Sequence, residues 1–105
     1  MIATFYKEGK VVDYTPAAAV AAGDIVIIGD IVGIAKLDIA AGERGALALE
    51  GIFAVAKGST AFDFGDKVYF SAQSDVATAV DTDTLIGVAT AAAAASDATV
   101  LVKIG

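Results

Sequence analysis

Short runs of β-branched and aromatic residues, cut off by Gly, Asp, Ser or Pro, recur along the whole chain. That punctuation is the pattern of a sandwich or barrel. Residues 2–6 and 11–14 flank Lys7-Glu8-Gly9-Lys10 and predict a first hairpin, and Pro16 sits at its strand exit. The alanine-rich stretch 17–22 has room for one helical turn before Gly23-Asp24 stops it. Ile25-Val26-Ile27-Ile28 and Ile31-Val32-Gly33-Ile34-Ala35 bracket Gly29-Asp30, a tight hairpin with Gly at its first turn position. Residues 46–50 and 52–55 predict one strand bent or bulged at Gly51, and residues 57–66 a polar loop. A further hairpin pairs 67–70 with 76–79, then strands follow at 85–89 and 99–104. The tract 91–95 has too few alanines to nucleate a helix and reads as strand continuation and turn. The expectation is one all-β domain over 1–105, a small barrel or sandwich of roughly nine to ten short strands. At most one or two short helical turns interrupt it.

A weak internal repeat runs through this pattern. Gly23-Asp24-Ile25-Val26 matches Gly65-Asp66-Lys67-Val68, and Ile31-Val32-Gly33-Ile34-Ala35 matches Leu85-Ile86-Gly87-Val88-Ala89. Ala40-Ala41-Gly42-Glu43 then resembles Ala94-Ala95-Ser96-Asp97. Order is kept and spacing is not, which suggests two similar β units closing one barrel.

Charge narrows the partners. Seven basic residues against thirteen acidic give −6, and the cations are scattered, so a phosphate backbone would be repelled. No apolar run approaches the ~18–20 residues of a membrane span, and the start lacks a signal-peptide pattern. The chain is expected in a reducing cytosol, with neither nucleic acid nor membrane as partner. Its 57% hydrophobic content either hides apolar surface in a subunit interface or merely reflects alanine.

Candidate chemistry is thin. There is no Cys and no His, so thiolate sites and the commonest general base are both missing. Gly9-Lys10 leads into Val11, not into the Ser or Thr of a phosphate loop. Ser59, Ser71, Ser74 and Ser96 lie in turn-like segments without a base. Asp63/Asp66 and Asp81/Asp83 lack the spacing of a calcium loop. No catalytic residue, cofactor or metal site is assigned. Phe5, Tyr6, Tyr14 and Pro16 are the candidate interface residues, because an end so rich in large apolar groups is poorly suited to water. Such a segment, within residues 1–16, packs on its own domain or pairs along the edge of a neighbour's sheet. The second is expected, since residues 25–28, 31–34 and 85–88 already supply a small core.

Glu8-Gly9-Lys10-Val11-Val12-Asp13-Tyr14-Thr15-Pro16, then Ala22-Gly23-Asp24-Ile25-Val26, Gly65-Asp66-Lys67-Val68-Tyr69 and Leu85-Ile86-Gly87-Val88-Ala89, resemble the small capsid cement (decoration) proteins of tailed phages and prophages. The resemblance spans the chain and is most specific from Asp13 to Asp24. Some members carry a phage-recombinase label, which does not suit a short, acidic chain without an ATP-binding loop. The resemblance implies a virion protein, made in the bacterial host cytoplasm, that binds the outside of an expanded capsid. Its partner would be the major capsid protein, and self-association as a homotrimer is expected. The rival expectation is a cytosolic β-barrel module binding a small molecule or peptide.

Overall fold

In a computed structural model, residues 2–5 and 9–105 are described, and they contain nine β-strands and no helix. The strands divide into two units, Met1–Glu50 and Gly51–Gly105. Unit 1 holds β1 (Val11–Tyr14), β2 (Ile25–Ile28), β3 (Ile31–Ala35) and β4 (Gly45–Ala48), in the order β1-β4-β3-β2. Unit 2 holds β5 (Gly51–Ala56), β6 (Lys67–Ser71), β7 (Val76–Thr78), β8 (Thr84–Ala89) and β9 (Thr99–Ile104), in the order β5-β9-β8-β6-β7. All strand neighbours in both sheets are antiparallel.

The repeat in the sequence is a repeat in space. In unit 1, Ile25 pairs with Ile34 and Val26 with Gly33; in unit 2, Lys67 pairs with Val88 and Val68 with Gly87. The Gly23 N–H donates to the Ala35 carbonyl at 2.6 Å, and the Gly65 N–H to the Ala89 carbonyl at 2.8 Å. Val20 exchanges two backbone hydrogen bonds with Ile39, as Phe62 does with Ala93. The two copies build one sheet each, so the expectation that they close a single barrel is not met. Their difference is one insertion. Unit 1 turns at Gly29-Asp30, whereas unit 2 spends residues 72–83 there and adds β7 along the outer edge of β6.

Three other expectations are corrected. The hairpin expected between residues 2–6 and 11–14 partly involves Tyr6, which lies outside the described residues. Its described part, residues 2–5, is in no strand, and β1 instead pairs with β4, Val11 opposite Ala48. A two-stranded hairpin is marginal alone. Pairing with β4 lets Val12 and Tyr14 pack on the buried cluster Ala35, Ile39 and Leu47. The single strand bent at Gly51 is two strands in separate sheets, parted where Gly51 takes φ +134°. The 17–22 stretch forms bends and a turn around the Val20–Ile39 bridge rather than a helical turn.

Alternation sets the packing. In β9, Val100, Val102 and Ile104 are buried while Thr99, Leu101 and Lys103 face out. Phe62, inside the stretch expected as a polar loop, is buried in unit 2 with Val68, Val102 and Ile104. Its bridge to Ala93 explains why the alanine tract stays extended.

Candidate interaction surface

Polar side chains in both units are occupied with holding turns. Asp24 Oδ2 accepts the Ala21 N–H at 3.0 Å, Asp66 Oδ2 the Asp63 N–H at 2.8 Å, and Asp97 Oδ2 the Ala94 N–H at 2.8 Å. In each turn the aspartate's own N–H donates back to the same partner's carbonyl. Thr78 Oγ1 donates to Asp83 Oδ2 at 2.6 Å, and Ser71 Oγ accepts the Ser74 N–H. Of the paired aspartates, Asp66 and Asp83 thus have their carboxylates engaged in local turn chemistry.

Lys57 is the buried charged residue among those described, 7% exposed. Its Nζ donates to the carbonyls of Gly58, at 3.0 Å, and Ala95, at 3.4 Å. The ammonium ties β5's exit to the 94–98 turn, a role no sequence signal indicated. Among the described residues no group of three or more acidic, Cys or His side chains is placed to hold a metal ion.

The four candidate interface residues separate. Phe5 is 81% exposed and Ile2 fully so. Tyr6 lies outside the described residues. Tyr14 is partly buried against the Ala35–Ile39–Leu47 cluster, and Pro16 is buried, its carbonyl accepting the Gly42 N–H at 2.8 Å. The structure therefore puts Tyr14 and Pro16 within unit 1's own packing and leaves Phe5 in solvent.

Further apolar side chains face out. Ile52, Leu101 and Val88 lie on the outer face of unit 2's sheet around Lys103, which pairs with both Ile52 and Val88. In unit 1, Leu37 is exposed beside a cavity of about 380 Å³ lined by Val11, Lys36, Asp38, Ile39 and Arg44. Ile28 and Ile31 are exposed at the β2–β3 turn.

No curated protein and no solved structure matches the chain. The sequence model of a phage cement protein family matches residues 6–104, nearly the whole length, and the chain belongs to that family of phage cement proteins.

Proposed function

We propose that the protein is a non-enzymatic virion component that binds the outer surface of an expanded phage capsid and clamps neighbouring subunits of the major capsid protein. It does so as a homotrimer, with the segment around Phe5 and Tyr6 used in assembly. The observation that carries this reading is the family match over residues 6–104. Exposed apolar side chains at Ile2, Phe5, Leu37, Ile52 and Phe64 support it. Burying such groups between shell subunits gains about 25 cal/mol per Å² of apolar surface, repeated at each copy. The acidic balance of the chain helps keep a densely decorated particle soluble.

The test is decoration. Purified protein mixed with empty expanded capsids should co-sediment with them and raise their disruption temperature. Removing residues 1–6 should weaken either self-association or capsid binding. Capsids that stay bare at saturating protein would rule the reading out.

A second reading is favoured by the unit 1 cavity, whose volume suits a small ligand or a peptide side chain. That reading predicts a monomer by light scattering and no affinity for capsids.

A further inference from the structure

The two copies of the repeat differ in how they treat one sheet edge. In unit 2, β7 pairs with the outer edge of β6, Tyr69 opposite Thr78, Phe70 opposite Ala77 and Ser71 opposite Val76. The sheet's other edge meets β7 through the Lys57–Ala77 bridge. In unit 1 the equivalent of β6 is β2, and its ladder with β3 is its only one among the described residues. The insertion that supplies β7 is absent there.

Beyond its four-residue length, β2 has none of the devices that protect an edge. It reads Ile-Val-Ile-Ile, without charge, proline or bulge, and is partly exposed along its length. The opposite edge of the same sheet, β1, carries exposed Asp13 within the strand. An uncharged strand with one edge outside any ladder, whose repeat counterpart is covered, is a receiving edge for an extended segment.

We infer that the β2 edge receives the N-terminal segment of a second copy of this chain, residues 2–6, as an added strand in the place β7 fills in unit 2. Ile2 and Phe5 of that segment find no burial within their own fold. Charge selects it over a second β2. Exposed Asp24 and Asp30 flank β2, so an antiparallel β2–β2 pairing would set Asp24 of one copy beside Asp30 of the other. The N-terminal segment, residues 2–6, instead carries no charge to set against them, and the Lys7 and Glu8 that follow it balance. Folding back within one chain is disfavoured by reach. Val11, Ala48, Ile34 and Ile25 form one row across the sheet, so a strand added outside β2 lies four strand spacings from β1, about 19 Å, against the roughly 17 Å that residues 6–11 span when fully extended. The turn at Gly9-Lys10 shortens the link available to cover that span. Exchange in one direction between neighbours is heterologous, and it closes a ring when the rotation between copies closes, as in the trimer proposed above. The inference rests on the assembly role proposed above for the N-terminal segment.

The chain contains no cysteine, so disulfide trapping can test the pairing directly. Single variants F5C, I25C and I27C, and the double variant F5C/I27C, are oxidised with and without capsids and run on non-reducing gels. Because a disulfide needs Cα atoms within about 7 Å, only a docked segment crosslinks efficiently. The expected result is a mixed F5C–I25C or F5C–I27C dimer from paired single variants, exceeding F5C–F5C and I27C–I27C products at least tenfold. The double variant should give closed oligomers. A crosslink confined to one chain in the double variant, homodimers alone, or no mixed product in either condition would overturn the inference. Decoration is scored on the same variants, which separates the two claims. Mixed crosslinks without capsid binding would leave the docking intact and remove the cement function. Capsid binding lost on removing residues 1–6, without mixed crosslinks, would do the reverse.

Discussion

At the scale of single residues, the account rests on side chains that fill two small cores and on glycines where strands approach closely. Leu47 is fully buried in the unit 1 cluster, and Leu47→Ala should cost about 3 kcal/mol in chemical denaturation. Gly87 faces the Lys103 backbone so closely that an added Cβ would strike its carbonyl oxygen. Backbone cannot rotate aside as a side chain can, so Gly87→Ala should lose about 2–3 kcal/mol. Gly58 has open space around its Cβ position, and Gly58→Ala should stay within about 0.5 kcal/mol of wild type. Equal losses in the two glycine variants would contradict the β8–β9 packing. The repeated aspartate turns make a paired prediction. Asp24→Ala and Asp66→Ala should each cost about 1 kcal/mol, since each removes one equivalent side-chain hydrogen bond.

At the scale of elements, the N-terminal segment separates assembly from folding. Its described residues lie outside every strand and are exposed. Deleting residues 1–6 should therefore leave the far-ultraviolet circular dichroism spectrum and the denaturation midpoint nearly unchanged while association or decoration falls. A large loss of stability would place the segment in the core. Much of the strand pattern was legible beforehand, because period-two alternation and Gly-Asp turns are local. Residues 25–28, 31–35 and 99–104 are strands as read from the sequence. The repeat was also legible, through the Gly-Asp entries to β2 and β6. What was not legible depends on distant partners. The choice of β4 over residues 2–6 as the neighbour of β1 follows from where Val12 and Tyr14 find the Leu47 cluster. The burial of Lys57 and Phe62 inside a polar-looking stretch follows from carbonyls and alanines more than thirty positions on, at Ala95 and Ala93. Of the candidate site, an exposed Phe5 could be suspected from sequence. Tyr14 packs on the Leu47 cluster and Pro16 is buried, placements that follow from β1 pairing with β4 rather than from local sequence.

At the scale of the whole molecule, a chain carrying −6 with dispersed cations should give no shift of single-stranded DNA at ~150 mM salt. Detectable binding would contradict the electrostatic reading. The family fixes the general role, that of a phage cement protein. The proposed placement, on the outside of an expanded capsid, is tested by electron cryomicroscopy of empty expanded capsids with and without saturating protein. Added β-rich density at fixed positions on the outer surface, in contact with more than one capsid subunit, is the expected result. Capsids indistinguishable from the undecorated control, or density confined to the interior, would contradict it.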